Sequence, residues 1–356
     1  MSTFERITIN GGTLEGAAII EAANRIREAQ GKAEWTRSLE VLLTELVLHT
    51  GPLAVQTSGT TGEPKPLKLS RRDLMASARL TATTFKLHAG DRALLCLPCE
   101  YIAGKMMVVR AFVIGLDLHV VDPRGSLLEK LNTKDRFRFA AMVPLQLHRA
   151  IQEDKSRVEK QFDTILLGGG PVSEALIEDL QGVSARVFHT YGSTETVTHI
   201  AIRQLNGSDR SNMFTALGDV TLDQDDRGCL IVYTPHLSTK AHITNDVVDL
   251  LDNRHFRWLG RYDNVILSGG LKIFPEQLEA KTAGIVPYPH YFTSYPEDKL
   301  GQAVMLVLEI EEPSEEVVQE VLDKVKEVLG EYELPRRIMA RKAFQRTTSG
   351  KVIRTE

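Results

Sequence analysis

Two kinds of hydrophobic spacing alternate along most of the chain. Over residues 15–50 the apolar positions recur every three or four residues. Ala18, Ile19, Ala22 and Ile26, then Leu39, Leu42, Leu43 and Leu46, fall on one side of each of two helices. Short runs rich in apolar and β-branched residues follow at 93–97, 118–121, 140–143, 164–167 and 185–189, with amphipathic helical stretches between them. Strands alternating with helices predict an α/β fold: mainly parallel sheet with flanking helices on both faces. Ligands of such sheets bind beyond the carboxyl ends of the strands.

The pattern changes at Gly260-Arg261-Tyr262-Asp263. A hairpin-like stretch over 264–273, a helix from about Pro275, a strand over 303–310 and an amphipathic helix over about 314–329 precede a basic tail that ends in Lys351. This predicts a large N-terminal domain, residues 1–262, and a small α+β C-terminal domain, residues 263–356, joined by a short linker.

Composition narrows the class. A length of 356 residues suits two domains, and 42% apolar with 25% charged residues is ordinary for a globular core. The formal net charge of −4 with scattered cations leaves no electrostatic footprint for nucleic acid. Residues 1–10 lack a signal-peptide layout, and the most apolar window, 106–121, is too short to span a membrane and contains Arg110 and Asp117. Three cysteines make no disulfide framework and point to a reducing compartment, the cytoplasm. Cys96 and Cys99 lie in an apolar stretch with no second Cys/His pair at zinc spacing, so buried strand cysteines are expected. No pattern fixes an oligomeric state.

The candidate chemistry starts at Thr57-Ser58-Gly59-Thr60-Thr61-Gly62-Glu63-Pro64-Lys65, directly after the apolar run 53–55. Hydroxyls and backbone N–H groups donate to phosphate oxygens, glycines let the backbone approach, and Lys65 adds a compact positive charge. It is not a P-loop, because no Lys-Ser or Lys-Thr follows the second glycine. The same composition also suits a solvated turn. Further on, Gly168-Gly169-Gly170-Pro171 closes a strand, and Ser173 stands ready to cap the helix 174–180. Tyr191-Gly192-Ser193-Thr194-Glu195 combines an aromatic face, hydroxyl donors and a carboxylate of the kind a hard cation wants.

Together these segments resemble the motifs of the acyl-adenylate-forming, AMP-binding enzymes. The 57–65 loop resembles that family's phosphate-binding signature, Gly169-Gly170-Pro171 its adenine turn, and Tyr191–Glu195 its Tyr-Gly-x-Thr-Glu motif. The resemblance implies that Tyr191 faces the adenine, Thr194 donates to the α-phosphate and Glu195 helps hold Mg²⁺. Thr244-Asn245-Asp246 resembles the family's Thr-Gly-Asp, with Asn245 for glycine, a residue that tolerates the left-handed conformation; Asp246 would accept from the ribose hydroxyls. Residues 258–279 resemble the family's domain junction, implying a ribose or phosphate contact for Arg261, a hinge at Asp263 and a thioester-step loop at Gly269-Gly270. Arg346–Lys351 resembles the carboxy-terminal catalytic motif, with Lys351 as its lysine.

The implied activity is ATP-dependent joining of a small-molecule carboxylic acid to coenzyme A through an acyl adenylate, with a mobile small domain. Within the family the short chain, residues 191–201 and Glu100–Lys105 are most similar to o-succinylbenzoate–CoA ligases of menaquinone synthesis. That acid is a dicarboxylate, and Lys105 and His199 are nominated for its second anion. The acid-binding segment departs from the family pattern, with Leu97-Pro98-Cys99-Glu100-Tyr101 where an aromatic or His residue before a Gly is common. Other acids, transfer to a carrier protein or an amine, and a non-catalytic adenylate-binding module stay open.

Overall fold

In the computed structural model, the described residues are 4–56, 65–347 and 352–354. Chain order begins with a hairpin, β1 (Arg6–Ile9) and β2 (Gly12–Glu15), and two helices, α1 (Ala17–Ala29) and α2 (Glu34–Leu48). A second hairpin, β3 (Leu53–Gln56) and β4 (Pro66–Leu69), leads to α3 (Arg71–Phe85), which Ser70 caps by accepting from the Asp73 N–H at 3.1 Å. Then come β5 (Arg92–Leu95), α4 (Ile102–Arg110), β6 (Asp117–Val120), β7 (Phe139–Met142), α5 (Pro144–Gln161), β8 (Thr164–Leu167), α6 (Glu174–Asp179) and β9 (Arg186–Gly192). Ser173 caps α6, as its spacing predicts, accepting from the Leu176 N–H at 3.2 Å.

The central strands β5, β7 and β8 are buried on both faces, which is why they read as continuous apolar runs. Successive side chains point to opposite sides. Ala93 and Leu95 pack with the α1, α2, α3 and α4 residues Ile19, Leu39, Leu74 and Met106, whereas Leu94 and Cys96 pack with the α5 and α6 residues Leu147, Val158 and Leu176. Helices therefore flank both faces. Cys96 and Cys99 lie just past β5, not within it; both are buried and free, and burial pushes their thiols up to about 12.

The parallel part runs through β1, β6, β5, β7, β8 and β9. From β9 outward every pairing is antiparallel, through β10 (His199–Gln204), β11 (Phe214–Ala216), β12 (Thr221–Gln224), β13 (Cys229–Tyr233), β14 (Ala241–Leu250) and β15 (His255–Arg261). The consecutive pairs β9–β10, β10–β11, β12–β13, β13–β14 and β14–β15 are joined by connections with no crossover helix, which fits antiparallel pairing, and β15 then returns to pair antiparallel with β11. The sheet is thus mixed, parallel at its centre, closed at the far edge by the antiparallel strand β2 and antiparallel along this flank. The ends of β9, β10, β14 and β15 meet there.

Past residues 262–265 a separate five-stranded sheet forms from β16 (Ile266–Ser268), β17 (Leu271–Ile273), β18 (His290–Glu297), β19 (Gly301–Glu309) and β20 (Arg337–Arg341). Helices α7 (Pro275–Thr282) and α8 (Glu315–Lys326) cover it, burying Leu278, Val321 and Val325 against Phe292, Leu306 and Leu308. β20 pairs in parallel with β19, inside the stretch read from sequence only as a basic tail. Gly269 and Gly270 both have positive φ, 56° and 84°, the geometry of a two-residue hairpin turn. Among the described residues no helix is long and apolar enough to cross a membrane.

Candidate functional site

β9 carries the centre of the site. Its last residue, Gly192, faces the start of β10 so closely that a Cβ would stand 2.1 Å from the Thr198 carbonyl oxygen. The turn between them is knotted by short side chains: the Ser193 N–H donates to Thr196 Oγ1 at 2.9 Å, and Thr196 Oγ1 donates to the Thr198 carbonyl at 2.8 Å. Val197, a buried β-branched residue, is held at φ 67°. Such an outlier costs of order 1–3 kcal/mol and survives only where its surroundings over-determine it. Thr194 is buried in this turn and Glu195 is exposed beside it.

Four of the nominated residues meet at one place. Tyr191 Oη donates to Asp246 Oδ2 at 2.6 Å, and its ring packs edge-on against Phe256 at a 5.0 Å centroid separation. Burial, then the Asp246 carboxylate, hold the Tyr191 phenol well above its ordinary range, so it is a donor at neutral pH. Arg261, on β15 directly across the ladder from Asp246, places Nη1 3.7 Å from Asp246 Oδ1 and Nη2 3.3 Å from Asp263 Oδ2. Its Nε is buried with no partner among the described residues. A cluster of hydroxyl, carboxylate and guanidinium with one orphaned donor suits a ribose and phosphate.

The glycine turn lies against the same strand. Gly169 has φ 79°. Thr190 Oγ1 donates to the Leu167 carbonyl at 2.9 Å, and His189 hydrogen-bonds the Gly170 backbone. Burial, with Arg203 beside it, pushes His189 down to about 3, so this histidine is a neutral strut for the turn.

Asn245 departs from the reason given for it above. It lies inside β14 and is not among the residues with positive φ, so no left-handed conformation is needed. Its side chain instead bridges Arg227 and Asp263: Oδ1 accepts from Arg227 Nη1 at 3.0 Å, and Nδ2 donates to Asp263 Oδ2 at 3.2 Å.

The two residues nominated for a second anion are not equivalent. Lys105 is half-buried on α4 and donates to the Cys99 carbonyl at 2.7 Å. Burial lowers its pKa, while Cys99, Glu45 and Glu100 pull the other way. His199 is buried, 3.3 Å from Thr81 Oγ1 and 3.0 Å from Thr198 Oγ1. Burial and Arg110 hold it neutral, well below its usual range, so it offers an anion a hydrogen bond and not a charge.

The cation at that place is Arg110, which was read from sequence only as a break in an apolar window. It is 3% exposed at the end of α4 and donates to Thr81 Oγ1 and Thr198 Oγ1, each at 3.2 Å. Among the described residues no carboxylate pairs with it. Burial pushes it down to about 10, so it remains charged at neutral pH. A buried charge without a counter-ion is expensive, and its position in an apolar run was the available signal.

Lys65 is exposed just before β4. Thr57, Ser58, Gly59, Thr60, Thr61, Gly62 and Lys351 lie outside the described residues.

The AMP-binding enzyme family profile matches residues 52–225. A crystal structure of an acyl-CoA synthetase (AMP-forming)/AMP-acid ligase II-like protein from Dyadobacter fermentans DSM 18053 is 34% identical, with a TM-score of 0.60 over 90% of this chain and 93% of that one. The 2-succinylbenzoate–CoA ligase of Bacillus subtilis (strain 168) is 26% identical over 95% of this chain and 73% of its own. The long-chain-fatty-acid–CoA ligase FadD13 of Mycobacterium tuberculosis (strain ATCC 25618 / H37Rv) is 26% identical over 84% of this chain. The chain spans 73% of the first of these curated relatives and 65% of the second.

Proposed function

Because the chain belongs to the AMP-binding, AMP-forming acyl-CoA synthetase family, we propose that it joins a carboxylic acid to coenzyme A through an acyl adenylate, and that the acid is o-succinylbenzoate. In the first step a carboxylate oxygen bonds to the α-phosphorus of ATP as the bond to pyrophosphate breaks. In the second the thiol sulfur of CoA bonds to the acyl carbon and AMP leaves. The first step brings anions together, so donors must stand where charge accumulates.

Tyr191, Asp246 and Arg261 hold the ribose and its phosphate in this reading, with Gly169 and Gly170 lining the adenine and Gly192, Ser193 and Thr194 closing over the α-phosphate. The hydroxyls and glycines of residues 57–62 and Lys65 are assigned to the departing pyrophosphate, and Lys351 to the transferring group. Glu195 fits Mg²⁺: it is one exposed carboxylate, and no group of three or more ligating side chains stands among the described residues. That donor set matches a cation held mainly by substrate phosphates, where it neutralises charge when bound. The chain divides into domains 1–262 and 263–356 that turn about Asp263, presenting Lys351 for the first step and the Gly269-Gly270 loop for the second.

The observation that carries the choice of acid is Arg110. A monocarboxylate spends its only charge on the chemistry and leaves a buried guanidinium unanswered. A dicarboxylate brings a second anion, and Arg110 with Thr81, Thr198 and neutral His199 offers it one charge and three hydrogen-bonding groups. The test is acid-dependent ATP–pyrophosphate exchange with o-succinylbenzoate, benzoate and a fatty acid. Exchange strongest with o-succinylbenzoate supports the reading; faster exchange with either monocarboxylate overturns it.

A further inference from the structure

We propose that Asn245 is a positioning residue, a latch through which the large sheet holds the hinge carboxylate of Asp263. This inference deepens the functional reading above and rests on its assignment of Asp263 as the hinge.

The latch is built from four elements. Arg227, in the turn between β12 and β13, is fixed by Asp225, whose Oδ2 accepts from Nε at 2.9 Å. Its Nη2 donates to the Thr244 carbonyl at 3.1 Å and its Nη1 to Asn245 Oδ1 at 3.0 Å, and the guanidinium lies over the Tyr262 ring at 5.2 Å. The amide of Asn245 is thereby oriented with its nitrogen outward, and that nitrogen donates to both Asp263 oxygens, at 3.2 and 3.4 Å. Arg261 holds the same carboxylate from the nucleotide side at 3.3 Å. Tyr262 and Asp263, the first residues of the short junction before the small sheet, are thus gripped by groups of the large sheet.

Asparagine is the residue that can do this from position 245. Its amide accepts from a cation on one side and donates to an anion on the other. Glycine would delete both bonds, and aspartate would keep Arg227 but set a second carboxylate against Asp263. Because Arg261 also reaches Asp246, the latch and the nucleotide cluster share one guanidinium. Grip on the hinge and occupancy of the ribose site are coupled through it.

The experiment uses the full chain with two spin labels, at Asp223→Cys on β12 and Glu320→Cys on α8, both exposed positions. The native cysteines are buried and their thiols pushed up, so they do not take the label. Pulsed electron resonance gives the distance distribution between the two sheets. Asn245→Gly and Asn245→Asp are each expected to broaden or shift it at a temperature where a thermal melt shows both variants folded. They are also expected to alter the ratio of the adenylation and thioester-forming rates about three- to tenfold, the worth of one or two half-exposed hydrogen bonds. In an Asp263→Ala background Asn245→Gly should have a clearly smaller effect, because only its bond to Arg227 is left to lose. An unchanged distribution in both variants, or an undiminished effect of Asn245→Gly without Asp263, overturns the latch. The distance measurement needs no acid substrate, so absent exchange with every acid would sink the functional reading while leaving the latch to be judged alone.

Discussion

At the scale of single residues, the proposed assignment rests on groups whose surroundings suit an anionic ligand. Arg110 is the plainest. Arg110→Met keeps most of the volume and removes the charge, so binding of a dicarboxylate should weaken about 10- to 100-fold, the loss of charge-assisted hydrogen bonds of about 1.5–3 kcal/mol. Turnover of monocarboxylates should not fall, and the melting temperature should hold or rise, because an unpaired buried cation has gone. Steady-state kinetics with both kinds of acid, beside a thermal melt, check this. A second outcome concerns Lys351: Lys351→Ala should slow adenylate formation at least 100-fold while leaving thioester formation from supplied acyl-AMP nearly intact. Equal loss of both half-reactions, timed separately, would remove Lys351 from its role. Most of the proposed site was nominated from sequence because chemistry narrows residue type: Tyr191, Glu195, Asp246 and Arg261 each carry a functional group suited to a nucleotide. Arg110 was missed: its place in an apolar run was the one signal, but a linear pattern does not tell a buried guanidinium from one that reaches out to water. His199 was nominated on position, but its protonation depends on burial beside Arg110, which only the fold reveals.

At the scale of elements, the strand-to-turn joints around β9 do the positioning. Gly192 is fixed by the approach of β10, so Gly192→Ala should cost about 3 kcal/mol or more, since the clash is with backbone at 2.1 Å and cannot be relieved by a rotamer. Denaturant unfolding measures the loss, and ATP binding should weaken with it, because the turn from Ser193 to Thr198 is displaced. Of the parallel strands, β5, β7 and β8 were readable from sequence because burial on both faces makes them almost uniformly apolar, whereas the half-exposed β1 was not read. The antiparallel flank was not, since its strands are half-buried and polar on one face: β12 ends in Asp223-Gln224 and β14 carries Asn245-Asp246. β18, with its Ser294, Pro296 and Glu297, escapes the same way, although its early residues Tyr291 and Phe292 are buried.

At the scale of the whole molecule, charge and burial set how stability follows pH. Burial depresses His189 to about 3 and His199 well below its ordinary value, and it lowers the half-buried His119, His236, His242 and His290 in the same direction. Below about pH 6.5 the unfolded chain takes up protons that the folded chain refuses, so stability is lost as pH falls. Each fully depressed histidine contributes a slope of about 1.4 kcal/mol per pH unit. Glu279 runs the other way: burial raises it to about 7 despite Arg354, so its contribution is lost as pH rises from its unfolded value toward 7. The histidines outnumber it. Unfolding free energy should therefore fall between pH 6.5 and 5, and Glu279→Gln should make the fall steeper; denaturant titrations across that window decide. The change of pattern at residue 260 was legible because an alternation of strand and helix gave way to a hairpin. The grip of Asn245 on Asp263 was hidden, because it joins residues 18 apart through geometry that no spacing encodes.

As proposed above, this chain makes an acyl adenylate and passes the acyl group to coenzyme A. Rapid-quench measurement of pyrophosphate with o-succinylbenzoate and ATP tests it most directly, first without coenzyme A and then with it. A burst of about one pyrophosphate per enzyme is expected without the thiol, and continuous release matched by AMP and thioester once it is added. Release of ADP and phosphate, or no pyrophosphate burst with this acid, would contradict it.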